Sequence, residues 1–304
     1  MNWEKKGVIW APDKKQIWAQ SHATCPTPIA ISSDTTRIYL QSRDKNNVGR
    51  VGYVDVLSEK PEIVTGVSKV PALDVGAPGS FDDSGVFQCS IVQPEPGTLF
   101  MYYAGFELLQ KVRYRILTGL AISNDGGISF QRYQETPILE RSNTELQVRG
   151  GPSVIYHNNL FKMWYVAGSK WEVIGNKNVP VYSVKYLEST DGISWGDEGA
   201  TVFEPQSDEH GFGRPSVYVN GTGGFDMLYS VRKREEGYRM GYAKSDNGTD
   251  WVREDQLLNM DVSLRGPDSE TIEFGAYMSD SKKNILFYNG NDFGRTGLLW
   301  AVKK

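Results

Sequence analysis

The chain has 304 residues, 39% hydrophobic and 12% aromatic, with 33 Lys and Arg against 37 Asp and Glu for a net charge of −4. Acids and bases are mixed along its length, so a nucleic-acid surface is not expected, and no apolar stretch is long enough for a membrane span. The first residues lack the basic-then-apolar order of a signal peptide, and two cysteines, Cys25 and Cys89, are too few for a disulfide framework; the expectation is a soluble cytoplasmic protein with buried thiols.

Taken in chain order, the predicted elements repeat. After a short β-type run at residues 7–10 (GVIW), the first unit pairs an apolar strand at 28–31 (PIAI) with an aromatic one at 37–42 (RIYLQS). The second has 87–92 (FQCSIV) and 99–104 (LFMYYA), then a Gly-rich turn in 119–130 (GLAISNDGGISF). The third has 152–156 (PSVIY), 161–166 (FKMWYV) and the turn segment 186–195 (YLESTDGISW), and the fourth 215–218 (PSVY), 225–230 (FDMLYS) and 241–251 (GYAKSDNGTDW). The fifth, 271–275 (TIEFG) and 285–289 (ILFYN), ends at 300–304 with little left for an outer strand. Each turn joins a β-run to an aromatic through a Gly, with Asp or Asn placed to bond local backbone. Residues 123–130 fit the Asp-box pattern of propeller hairpins, and the other two turns are one residue shorter. Nothing keeps a 3.6-residue apolar period for long, so helices should be scarce.

Five units of about 45–60 residues read as an all-β fold, a five-bladed β-propeller spanning 1–304 as one domain, with the N-terminal strand at 7–10 closing the last blade. Insertions at 108–114 and 172–180 should overhang one face. In such a ring the starts of the first strands and the ends of the second strands meet at one mouth, because a hairpin joins them. That mouth would gather His22, Asp82, Asp83, Arg149, Glu209, His210, Arg214, Asp268 and Glu270 from the first set, and Arg43, Asp44, Lys170, Trp171, Arg232, Asn289 and Asn291 from the second. The competing readings are plainer: Asp82 and Asp83 as turn caps, 289–291 (NGN) as a turn, and the arginines spent on neighbouring acids.

Several motifs at these positions carry a resemblance: 21–23 (SHA), 42–44 (SRD), 79–86 (GSFDDSGV), Glu209-His210 with Arg214-Pro215, 268–270 (DSE) and 288–294 (YNGNDFG). The chain resembles the five-bladed propeller glycosidases of families 32, 43 and 68 and the mannoside phosphorylases of family 130, and is most similar to glycosylase-like proteins encoded with surface-polysaccharide sugar genes. The resemblance implies carboxylates on the first three blades, an acid on the leaving oxygen and an ionised partner at the anomeric carbon. This sequence departs from that trio: 25–28 reads CPTP where the families have Asp before Pro, and 149–152 reads RGGP. Only Asp82 and Asp83 remain of it.

The expected catalytic set is therefore relocated: Asp83 with Glu270 or Glu209, assisted by His22 or His210 as proton carrier. Substrate would be held by His22, Arg43, Asp44, Asp82, Arg149, Trp171, His210, Arg214, Arg232, Asp268, Asn289 and Asn291. Guanidinium groups in that number suit a carboxylate or phosphate, and Trp171 could stack on a sugar face. The expected substrate is thus an anionic carbohydrate, sugar phosphate or nucleotide sugar, and the expected reaction is cleavage or transfer of a glycosidic bond. A phosphorylase and a non-catalytic carbohydrate-binding propeller are the alternatives. With three histidines, none four residues from another, and no Cys cluster, no metal or cofactor is expected; the chain should be a monomer or weak oligomer.

Overall fold

Each repeated unit folds into a four-stranded antiparallel blade in the computed structural model, which describes residues 1–279 and 283–304. The N-terminal β1 (Trp3–Trp10) is the outer strand of the last blade. Blade I holds β2 (Ser21–Ala30), β3 (Thr35–Arg43), β4 (Gly49–Leu57) and β5 (Lys60–Val67). Blade II holds β6 (Val86–Glu95), β7 (Thr98–Leu108), β8 (Tyr114–Ser123) and β9 (Gln131–Arg132). Blade III holds β10 (Val148–His157), β11 (Leu160–Ile174), β12 (Lys177–Ser189) and β13 (Ala200–Phe203). Blade IV holds β14 (Glu209–Val219), β15 (Phe225–Lys233), β16 (Arg239–Ser245) and β17 (Val252–Arg253). Blade V holds β18 (Glu273–Ser279), β19 (Asn284–Asn289) and β20 (Leu298–Lys303), and β20 pairs antiparallel with β1. The ring is thus closed by strands from both ends of the chain, as expected, although β1 is longer than the predicted 7–10. Helix among the described residues is confined to two single turns, α1 (Asp255–Leu258) and α2 (Asn291–Gly294).

The inner strands β2, β6, β10, β14 and β18 each lie against the next, and β18 returns to β2. Apolar side chains fill every seam. Tyr39, Met101 and Tyr103 pack between blades I and II, and Tyr102, Met163 and Tyr165 between II and III. Trp164, Phe212 and Met227 fill the seam of III and IV, Leu228, Met240 and Leu286 that of IV and V, and Ile38, Phe287 and Trp300 that of V and I. Both sequence repeats serve these seams. The Tyr39 hydroxyl of blade I donates to the Gly127 carbonyl of blade II at 2.6 Å, Tyr102 of blade II to Gly192 of blade III at 2.8 Å, and the Trp164 indole of blade III to Gly248 of blade IV at 2.8 Å. In these three blades the aromatic of the second strand is thus hooked onto the Asp-box turn of the following blade. Gly192 has φ +71, and a Cβ there would stand 2.5 Å from the Tyr102 hydroxyl, so the turn needs glycine for both its backbone and its partner. Replacing Tyr102 with Phe should leave the Gly192 carbonyl without this donor and lower unfolding free energy by about 1–2 kcal/mol, read by urea denaturation.

At the axis every inner strand carries a bulge. There Arg214, 4% exposed, crosses the channel and donates to the carbonyls of Cys89 (3.0 Å), Pro26 (3.3 Å), Phe274 (3.2 Å) and Gly275 (3.3 Å). It therefore ties blade IV to blades I, II and V. Gly151 of blade III makes room: a Cβ there would stand 3.2 Å from Val166 and 3.6 Å from the Arg214 Cα. Arg214 plugs the axis and does not stand at the mouth as expected.

Candidate active site

Above this plug the starts of the inner strands and the ends of the second strands form the mouth. A run of aromatic rings links its walls: Trp171 meets Tyr114 at 5.6 Å, Tyr114 meets Phe106 at 6.0 Å, and Phe106 meets Phe87 at 6.4 Å. Phe87 meets Phe274 and Phe274 meets Tyr238, both at 5.8 Å, and Tyr238 meets Phe293 at 6.0 Å. Beside them lies a cavity of about 310 Å³ lined by His210, Arg232, Tyr238, Glu273, Asp292 and Phe293, among others. The long β11–β12 hairpin and the loop after β15 lean together here, with Glu172 ion-paired to Arg234. This is the overhang expected at 172–180.

Glu273, the first residue of β18, is 1% exposed. Its Oε1 accepts the Phe293 N–H at 3.0 Å, whereas Oε2 is buried with no hydrogen-bond partner. Burial raises its carboxyl from 4.5 to about 8, outweighing the Phe293 N–H and the Arg232 guanidinium, which lower it, while Asp292 adds to the rise. At neutral pH Glu273 is therefore a protonated acid. The Phe293 N–H is aimed by a strained turn, with Asp292 (φ 50) and Phe293 (φ 58) both left-handed. That turn is anchored by Thr24 Oγ1, which donates to the Phe293 carbonyl at 2.6 Å, and by Asn291, whose Oδ1 accepts the N–H groups of Glu270 (2.7 Å) and Thr271 (3.2 Å). Asp292 itself is half-exposed and paired with Arg295 at 3.1 Å.

Five of the expected site residues do reach this mouth: His22, Arg43, Trp171, His210 and Arg232. The His22 Nδ1 is 2.8 Å from Ser21 Oγ; burial first, then Arg43, lowers the imidazole to about 4. His210 is likewise lowered by burial and by Arg232. Arg43 bonds the Asn47 side chain at 3.2 Å. The Arg232 guanidinium lies 5.0 Å from the Tyr238 ring centre, with no hydrogen bond or ion pair among the described residues.

The other expected residues are placed elsewhere, and in most cases the blade architecture consumes them. Four blades use the same device, a second-strand tyrosine bound to a buried or half-buried acid that also meets a cation. Tyr103 donates to Asp82 (3.0 Å), which pairs with Arg132 (2.7 Å). Tyr165 donates to Glu145 (2.9 Å), which pairs with Arg149 (2.6 Å) and Lys185 (2.7 Å). Tyr229 donates to Asp255 (2.5 Å), which pairs with Arg253 (3.0 Å), and Arg253 also binds Glu209 (2.7 Å). Tyr288 donates to Asp268 (3.0 Å), which pairs with Lys5 (2.7 Å). Asp82, Arg149, Glu209 and Asp268 thus brace blades. Asp83 caps its own turn, accepting from Gly79 N–H and Ser84 Oγ at 2.8 Å each, and Asp44 does the same for the β3–β4 turn through the N–H groups of Asn46 (2.8 Å) and Val48 (3.0 Å). Asn289 is fully buried and clamps blade V to blade I, accepting the Cys25 N–H at 2.6 Å and donating to Ala23 O at 2.5 Å. Asn291 is the turn anchor described above. Glu270 is exposed and is not among the cavity-lining residues. No hydrogen bond joins Asp83 to Glu270 or Glu209 among the described residues. Glu273 and Asp292 escaped the sequence reading because one lay inside a predicted strand and the other one residue past the 289–291 turn, in a motif that marked only the family resemblance.

Fold and mouth together define the class: a five-bladed propeller of the glycosidase type. The chain belongs to one family with two uncharacterized proteins of Mycobacterium tuberculosis, MT1551 and Rv1502, each 31% identical over 303 residues and 99% of both chains. The model of the glycosyl hydrolases family 32 N-terminal domain matches residues 72–212. Among solved structures, a glycoside hydrolase superposes with a TM-score of 0.75 at 18% identity, covering 99% of this chain and 91% of its own. A structure from the family 130 mannoside phosphorylases that contains hydrolases of β-1,2 mannosidic linkages in Candida mannan gives 0.73 at 14% identity, covering 100% and 94%. A thermostable family 43 glycoside hydrolase gives 0.68 at 12% identity, covering 97% and 91%. At these identities the superpositions speak for the fold.

Proposed function

We propose that the chain cleaves or transfers the glycosidic bond of an anionic sugar, with Glu273 as the proton donor and Asp292 as its carboxylate partner. The observation that carries this reading is the Glu273 carboxyl, kept protonated near neutrality by burial, with Oε2 buried and unpartnered, at the wall of a cavity that Asp292 and Arg232 also line. The Glu273 proton passes to the glycosidic oxygen as its bond to the anomeric carbon breaks and the electron pair stays on the leaving oxygen. The attacking water gives its proton to Asp292 as it bonds the anomeric carbon. The unpaired Arg232 favours an anionic substrate such as a uronic or nonulosonic acid glycoside, a sugar phosphate or a nucleotide-activated sugar. It also supports a second reading in which inorganic phosphate replaces water, so that a sugar phosphate is released only when phosphate is supplied.

The test is a screen of acidic glycosides, glycosyl phosphates and nucleotide sugars, with and without phosphate, against wild type and E273Q. Wild-type turnover is expected to fall above about pH 8 as Glu273 deprotonates, and E273Q to lose about 10²–10⁴-fold on substrates whose leaving group needs protonation. Undiminished turnover in E273Q on the same substrates would remove Glu273 from the reaction.

A further inference from the structure

The cations of the mouth come as two matched sets. On blade I, His22 lies near the start of β2 and Arg43 ends β3, with Ser21 opposite Arg43 in the ladder. On blade IV, His210 lies near the start of β14 and Arg232 near the end of β15, with Gly211 opposite Arg232. Blade V, carrying Glu273 and Asp292, stands between these two blades. Both imidazoles are buried, 4% and 5% exposed, and both are held towards the neutral form by burial and then by the neighbouring arginine. Each keeps one buried ring nitrogen without a hydrogen-bond partner, Nε2 in His22 and Nδ1 in His210. Neither arginine has a carboxylate at ion-pair distance among the described residues: Arg43 bonds the Asn47 amide oxygen and feels Asp292 from further off, and Arg232 lies over the face of Tyr238 with Tyr182, Tyr114 and Glu273 nearby.

A partly buried guanidinium without an anion and a buried imidazole nitrogen without a partner are both unfavourable, and here they occur together twice. One oxoanion answers both: the guanidinium fork takes two of its oxygens, and a ring N–H takes another. That N–H comes from Nε2 of neutral His22, with Nδ1 accepting from Ser21, and from Nδ1 of His210 once the anion draws a proton onto that ring, whose other N–H is bonded to the Pro180 carbonyl. Arg295 stands near blade I, where its charge is felt by His22 and Arg43, but it is held by Asp292.

We propose that each Arg–His pair is an oxoanion subsite, one on either side of Glu273, so that the substrate carries negative charge on both the transferred sugar and the group that leaves. The assignment of the two sides to sugar and leaving group rests on Glu273 as proton donor; the existence of the subsites does not. Carboxylate and phosphate share the required chemistry, and separate probes distinguish them.

Inorganic phosphate and, in a second arm, glucuronate are titrated into the full chain near pH 7 by calorimetry. Two phosphates per chain are expected for wild type, and one for R43M and for R232M, each substitution weakening its own subsite about tenfold or more. Glucuronate binding at a subsite marks it as open to carboxylate; phosphate alone marks it as a phosphate subsite. Circular dichroism checks folding, and H22A and H210A read the same two subsites should an arginine variant not fold. A single phosphate abolished by either arginine substitution, or no binding of either anion, overturns the proposal. Titration of E273Q separates the two claims: two bound phosphates with wild-type turnover would refute the proton-donor role and leave the subsites standing.

Discussion

E273Q should be more stable than wild type at pH 8, and the gain should shrink as the pH falls. The folded chain keeps the Glu273 proton up to about pH 8, whereas the unfolded chain loses it near 4.5. Between those values the native state binds more protons than the unfolded one, so stability falls as pH rises. The histidines act in the opposite sense. His22 is lowered from 6.5 to about 4 and His210 is also lowered, so in the unfolded chain both take up protons below about pH 6.5 and stability falls towards acid. The Cys25 thiol, pushed up to about 12 by burial, and the raised Cys89 and tyrosines titrate above this range. The histidine and cysteine contributions are common to wild type and E273Q, so their difference between pH 6.5 and 8 isolates Glu273. Across that interval wild type should lose about 2 kcal/mol relative to E273Q, taking about 1.4 kcal/mol per pH unit for one proton. Denaturant titrations of both proteins at pH 6.5, 7.2 and 8 measure the difference. Parallel pH dependence would mean that the Glu273 carboxyl is not held protonated, and its part in the reaction would go with it. Loss of turnover together with gain of stability is the pattern expected where a site keeps an acid in an unfavourable setting for its chemistry.

R214M should be the most destabilising single change considered. Four backbone carbonyls from three blades accept from this one buried guanidinium, and a thioether offers them no donor. Losing hydrogen bonds to a charged donor while leaving buried acceptors unpaired costs about 4 kcal/mol in total, which for a chain of this length is a fall in Tm of about 6 °C. The loss should be nearly independent of pH between 6.5 and 8, because no titrating partner is removed, and this distinguishes it from the Glu273 effect. Calorimetry at the two pH values reads both quantities. A fall of less than about 3 °C would mean that water satisfies the axis without Arg214.

The five-fold repeat, the Asp-box turns, the aromatic second strands, the scarcity of helix and the closure by residues near 7–10 were legible in the chain alone. Each depends on local pattern: alternation along a strand, glycine where φ is positive, and a serine and carboxylate that bond their own turn, as Ser123 and Asp125 do. His22, Arg43, Trp171, His210 and Arg232 could likewise be assigned to the mouth, because strand direction alone decides which end of a blade a residue occupies. Tertiary structure decided which charges were already spent. Asp82, Glu209 and Asp268 are drawn into networks with tyrosines or cations from other strands, and Arg214 finds carbonyls on three other blades, none of them a near neighbour in sequence; Arg149 is spent closer by, on Glu145 four residues before it. Glu273 is the converse case. In sequence it is one polar residue in a β-run, and only the closing of blade V against blades I and IV removes it from water and turns a carboxylate into an acid. The strand pattern specifies where a side chain is carried; its charge state follows from what the other blades place around it.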